Sequence, residues 1–150
     1  MSRLVNGFLM CALMASTAIA DDASKKDVKG LQGNWQAVEV RSRGQKFPPN
    51  QVKKFRIVIK GNVITFNPDG GDRKSQFKLD LSKSPKAIDL TPLDGPQKGK
   101  IIPGIYSLEK GVFKICISNS GKDLTTRPTK FKTSMKDGLG LLIFNRAKPK

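Results

Sequence analysis

The chain has 150 residues, with 28 Lys and Arg against 12 Asp and Glu and a formal net charge of +16. This length allows one ordinary domain and is too short for two. The chain contains no histidine and two cysteines, which excludes Ser-His-Asp and Cys-His catalysis and zinc sites with imidazole ligands.

Residues 1–20 have the pattern of a cleavable secretory signal peptide. Arg3 precedes an apolar run from Leu4 to Ala15, and Ala18-Ile19-Ala20 places small residues before a cut at Asp21. The apolar run is about a dozen residues long, whereas a helix that spans a bilayer needs about 20. We therefore expect export to the periplasm or the exterior, with no transmembrane segment after cleavage; an uncleaved anchor is the alternative.

The rest of the chain reads as short strands separated by turn residues. No stretch shows sustained helical periodicity, and most Gly and Pro residues fall between apolar runs. A flexible or briefly helical lead-in (21–30) is expected before the domain (31–147), and a basic tail (148–150) after it. In chain order, the predicted strands are 35–40, 55–60, 63–66, 75–81, 86–91, 100–108, 112–118 and 139–146.

The predicted strands follow one another through mostly short connections. Gly61-Asn62 predicts a tight hairpin, because both residue types tolerate positive φ. A bend is expected at Pro103-Gly104. Eight short strands in this arrangement are typical of an all-β, up-and-down, lipocalin-like barrel. A two-sheet β-sandwich is the competing fold.

Gly33-Asn34-Trp35 resembles the G-x-W motif of the lipocalins. The resemblance implies that Trp35 plugs the closed end of the barrel and that a basic residue from the end of the last strand packs across it. Arg146 stands at that position, and stacking of a guanidinium on an indole is favourable. Gly33, Trp35 and Arg146 are therefore expected to close the barrel.

A longer set of sequence blocks resembles an uncharacterised, planctomycete-type family of secreted domains. The resemblance covers residues 31–147 and departs from the family at Glu109-Lys110-Gly111-Val112, where the family usually has Gly-Asp. It implies the kind of protein and no particular activity. The family blocks are L-x-G-x-W at 31–35, P-K-x-I-D-L at 85–90, G-I-Y-x-L at 104–108, L-K-I-C at 113–116 (Phe113-Lys114-Ile115-Cys116 in this chain) and R-P-x-x-F at 127–131.

Three polar residues in these blocks are candidates for orienting a ligand in an otherwise apolar cavity: Asp89, Tyr106 and Arg127. The structural alternative is an ion pair between Asp89 and Arg127 that pins a loop across the barrel mouth. Cys116 is expected to be a small buried hydrophobic residue, with a redox sensor or an intermolecular disulfide as the alternatives.

The predicted function is that of an exported lipocalin-like binding protein that holds a small apolar or amphipathic molecule. The alternative is an envelope interaction, structural or inhibitor-type protein whose basic surface meets a polyanion, an anionic lipid or a protein. The lysine clusters of the chain form either this binding surface or ordinary solvated surface. They lie at 25–26, 53–54, 98–100 and 148–150.

An enzyme is the third and weakest alternative, in the form of a carboxylate-based glycan hydrolase that would use Asp80 and Asp89. No catalytic residue, metal or cofactor is predicted otherwise. Nucleic acid is not expected as a partner, because an exported protein rarely meets it, and a monomer is expected.

Overall fold

The computed structural model describes residues 16–67, 71–118 and 125–148, with side chains from residue 21 onward. Most of the predicted signal peptide and the last two residues of the basic tail lie outside these ranges. The described elements are α1 (Ser16–Leu31), β1 (Gly33–Ser42), β2 (Gln45–Lys46), α2 (Pro49–Val52), β3 (Arg56–Lys60), β4 (Val63–Asn67), β5 (Arg73–Asp80), β6 (Ala87–Pro92), β7 (Ile102–Glu109), β8 (Val112–Ser118) and β9 (Leu139–Arg146).

The strands form one closed antiparallel barrel. Strands β1 and β3 to β9 pair in chain order, and β9 pairs back onto β1. The prediction of an eight-stranded, up-and-down, lipocalin-like barrel is confirmed, and the chain does not form the two-sheet sandwich. The two-residue strand β2 extends the sheet at the end of β1.

The eight predicted strands coincide with the observed barrel strands to within about two residues, whereas β2 and α2 were not predicted. The segment expected as a flexible or briefly helical lead-in lies in α1. Its helix is supported by tertiary packing, because Leu31 is fully buried and Val28 packs against the same core.

The barrel interior is filled by large apolar side chains near the end that α1 covers. Trp35, Phe113 and Phe144 are each at most 1 % exposed. Their rings are in contact, with centroids 5.8 Å apart for Trp35 and Phe113 and 6.0 Å apart for Phe113 and Phe144. We call this closed end the floor and the opposite end the mouth.

Strands β7, β8 and β9 are covered on both faces around Ile105, Cys116 and Leu141. Residues 125–134, which we call the strap, lie against the outer wall, where Phe131 packs against the buried side chains of Ile105, Cys116 and Leu141. In β8 the interior face carries Phe113 and Ile115, and Cys116 on the outer face is buried as expected.

Gly104 allows β7 and β8 to approach closely. A Cβ at this position would lie 2.6 Å from Cγ2 of Ile117 and 2.9 Å from the carbonyl oxygen of Cys116. The strand pairs continuously through the expected bend, with Pro103 opposite Asp89 and Gly104 opposite Ile88.

Candidate functional site

The floor is built around the indole of Trp35. The guanidinium carbon of Arg146 lies 4.4 Å from the centre of the indole ring, and Trp35 Nε1 donates to the Leu31 carbonyl oxygen over 2.8 Å. Arg146 also donates to the carbonyl oxygens of Gln32, at 2.7 Å, and of Gly30. Gly33, where φ is 113°, lets the chain turn from α1 into β1. The floor is therefore a structural closure that joins α1 to both β1 and β9.

A second polar cluster attaches α1 to the barrel. Asp27 Oδ2 accepts a hydrogen bond from the Tyr106 hydroxyl at 2.8 Å and from Lys86 Nζ at 2.8 Å. Burial, and then the Asp27 carboxylate, raise the pKa of the Tyr106 phenol, so this hydroxyl stays protonated and donates. Asp27 was not singled out from the sequence. Its spacing of four residues from Leu31 would place both side chains on one face of a helix, and this spacing could have indicated that Asp27 faces the barrel.

Asp89 and Arg127 form an ion pair on the outer wall. Arg127 Nη2 lies 2.7 Å from Asp89 Oδ1, and Arg127 Nη1 donates to the Gly104 carbonyl oxygen at 2.8 Å. The pair fastens the strap to β6 and β7. An open groove of about 490 Å³ adjoins it, lined by Asp89, Lys100, Ile101, Pro103, Thr125 and Arg127.

The three predicted ligand-orienting residues lie on two faces of the sheet. Asp89 alternates with the buried interior residues Ile88 and Leu90 and therefore points outward, where it meets Arg127. Tyr106 belongs to the interior core and reaches the floor. A ligand inside the barrel therefore cannot contact all three side chains.

Apolar side chains of the interior are partly exposed at both ends of the barrel, at Leu108 beside α1 and at three residues toward the mouth. Phe66, Ile117 and Leu142 all pack against the interior core and are intermediate in exposure. Beside them, α2 buries Val52 in the core. Two further rings stand there, with centroids 6.0 Å apart for Phe47 and Phe55 and 5.7 Å apart for Phe55 and Phe66. The mouth is thus an apolar surface that the described chain covers only in part.

A cation stands at the rim of this apolar surface. Arg73 pairs directly with Phe66 between β4 and β5, and directly opposed residues point to the same face of a sheet. Arg73 is exposed. Sequence inspection missed this residue because its neighbour depends on the strand register.

The thiol of Cys116 and the two carboxylates considered for glycan hydrolysis have different environments. Cys116 is fully buried, and burial, followed by the Asp137 charge, raises the pKa of its thiol to about 11. Hydrogen bonds from Ser82 lower the pKa of Asp80, whereas a glycosidase acid needs a raised one. The carboxylate of Asp89 is occupied by Arg127.

Two negative findings apply to residues 16–67, 71–118 and 125–148. No three His, Cys, Asp or Glu side chains there lie close enough together to hold a metal ion. No helix there has the length and apolar character needed to cross a membrane.

Comparison of the chain with protein-family models, with curated proteins and with solved structures found no match.

Proposed function

We propose that this protein is an exported, lipocalin-like binding protein that holds a small amphipathic molecule at the mouth of its barrel. The observation that carries the proposal is the partial exposure of Phe66, Ile117 and Leu142, three interior side chains at the end opposite α1. Apolar surface of this kind gains free energy when a ligand removes it from water.

The filled floor limits how far a ligand can enter. Trp35, Phe113 and Phe144 leave the lower part of the barrel fully packed, so the site lies in the upper part and suits a small molecule. Pockets for small molecules combine apolar lining with a few polar groups that set orientation.

Arg73 supports a more specific ligand class. It lies next to Phe66 in the register and is exposed at the rim. An amphipathic molecule with a carboxylate head could place its chain on Phe66, Ile117 and Leu142 and its charge beside the guanidinium.

Export is part of the proposal and rests on the signal pattern of residues 1–20. The tertiary contacts that the structure gives for α1 begin at Asp27, so cleavage before Asp21 would retain them. The shortened helix would start with Asp21 and Asp22, and acidic side chains stabilise a helix N-terminus.

We also propose that the chain belongs to the secreted domain family that its sequence blocks resemble, and that it is not an enzyme. Trp35, Asp89, Tyr106 and Arg127, four residues of these blocks, make the side-chain contacts of the floor and the strap. Because the block residues make structural contacts, they support membership of a family whose shared sequence features maintain its fold.

Titration with a neutral fluorescent probe, N-phenyl-1-naphthylamine, tests the binding site. We expect saturable binding that Ile117→Gln weakens, because it places an amide at the mouth. Ile101→Gln is the matched control, since Ile101 is 61 % exposed on the outer wall. Equal weakening by both variants, or no saturable binding, contradicts the proposal.

Competition experiments test the role of Arg73. A medium-chain fatty acid should displace the probe more strongly than the alcohol of equal chain length. Arg73→Gln should abolish this difference and leave displacement by the alcohol unchanged. If the fatty acid competes no better than the alcohol in the wild-type protein, Arg73 is not part of the binding site.

A further inference from the structure

The outer faces of β3 and β5 carry four exposed cations that are not part of the proposed site at the barrel mouth. Arg56 and Lys60 lie on β3, Lys74 and Lys78 lie on β5, and all four side chains are exposed. Strand β4 runs between them and contains no charged residue. We call these four residues with β4 the basic face.

The strand register arranges the four cations as two rows on either side of β4. Arg56 pairs with Asn67 and Lys60 with Val63 across β3 and β4, while Lys74 pairs with Thr65 across β4 and β5. In this register the cations alternate between the two rows along the strand direction, in the order Arg56, Lys74, Lys60 and Lys78. Each cation lies two residues, or about 7 Å, further along than the one before it, because a strand rises about 3.4 Å per residue.

Acidic groups stand at the margins of the basic face and have other partners. Asp89 lies opposite Lys78 but binds Arg127, and Asp80 accepts hydrogen bonds from Ser82. Asp94 accepts from the backbone N–H of Lys74, and Asp72 accepts from the side-chain amide of Asn67 at 3.0 Å. The five salt bridges seen in the described part of the chain involve none of the four cations.

We propose that the basic face binds a linear acidic polysaccharide that lies along β4 and is flanked by cations on both sides. The neutral residues that β4 presents outward, Val63, Thr65 and Asn67, form the bed of this track. Two rows of cations around a neutral lane complement a thin polymer with anionic groups on alternating sides.

The side chains of this face favour a polysaccharide over the two other polyanions. Single-stranded nucleic acid is held by stacking on aromatic side chains, and no outward position of β3, β4 or β5 is aromatic. Binding to a bilayer surface combines charge with apolar side chains that insert. The large exposed apolar residues, Val38, Leu93, Ile101 and Met135, all lie outside these three strands.

The test compares two variants of the purified protein that carry the same change in net charge. The face variant combines Arg56→Gln, Lys60→Gln, Lys74→Gln and Lys78→Gln. The control variant combines Lys26→Gln, Lys83→Gln, Lys130→Gln and Lys136→Gln, four exposed positions elsewhere. Circular dichroism melting curves check that both variants fold, and binding to polygalacturonate and to heparin is measured from low to physiological salt.

We expect the wild-type protein to bind both polysaccharides, with an affinity that falls as salt rises. The face variant should bind at least about 30-fold more weakly at low salt, and the control variant should stay within about threefold of wild type. Equal losses in the two variants would mean that net charge alone is responsible and would overturn the proposal, as would the absence of binding.

The competing partners are separate arms of the same experiment. Single-stranded DNA, or vesicles with one third anionic lipid, bound more tightly than polygalacturonate through the same four residues would overturn the polysaccharide assignment. Binding of N-phenyl-1-naphthylamine should be unchanged in the face variant, so the basic face and the barrel mouth fail or succeed independently.

Discussion

The ion pair between Arg127 and Asp89 should control how often the strap opens. Arg127→Gln removes the 2.7 Å contact with Asp89 and the 2.8 Å bond to the Gly104 carbonyl oxygen. Hydrogen bonds to charged groups contribute about 1.5–3 kcal/mol. Because both side chains are about one third exposed, we expect a loss of about 1–2 kcal/mol.

Cys116 reports this loss directly, because its thiol is fully buried against Phe131 of the strap. In a Cys11→Ser background, Cys116 is the lone thiol of the chain, and its reaction with Ellman's reagent measures strap opening. A loss of 1–2 kcal/mol predicts labelling roughly 5–30-fold faster. A weak dependence of the labelling rate on denaturant would identify the opening as local.

The matched control is Lys130→Gln, which removes an exposed cation from the same strap and should leave the labelling rate unchanged. If Arg127→Gln reacts no faster than Lys130→Gln, the ion pair does not control strap opening. The same conclusion follows if the faster reaction simply tracks global unfolding, as judged by the melting temperatures of the two variants.

Three further predictions concern stability. Trp35→Ala should cost about 3–5 kcal/mol, because it empties the floor; a normal melting curve would contradict this. Gly104→Ala should cost about 1–3 kcal/mol in denaturant unfolding, because its Cβ would meet Ile117 Cγ2 at 2.6 Å, and wild-type stability would show that the strands can separate. Burial raises the pKa of Cys116 from 9.0 to about 11. The stabilisation of the folded state by the buried, protonated thiol is therefore fully present below pH 9 and is lost as the pH rises to 11. The stability gap between wild type and Cys116→Ala should therefore narrow by about 2–3 kcal/mol over this range, whereas a constant gap would contradict it.

The barrel was predictable because its signals are local. In β8, Phe113 and Ile115 alternate with polar residues over one strand length, and Gly61-Asn62 marks the tight connection between β3 and β4. Such patterns depend only on neighbours in the chain, and eight of them in succession leave few alternative topologies.

The parts that were not predicted depend on residues far apart in the chain. Burial of Cys116 was expected, but no pattern within β8 indicates that the strap returns to cover it with Phe131. A brief helix was among the expectations for the lead-in, but its attachment to the barrel through Asp27, Tyr106 and Lys86 was not. Partial exposure of Phe66 at the mouth cannot be told from full burial by periodicity, since both positions face inward.

Native mass spectrometry of the protein, purified gently from its own host, shows whether the barrel mouth holds a small molecule. A molecule held at the mouth should appear as a defined added mass that is lost when the protein is denatured. Ile117→Gln should reduce the occupied fraction, whereas Ile101→Gln should not. A bare polypeptide mass in every preparation would contradict the claim that the barrel mouth holds a small molecule.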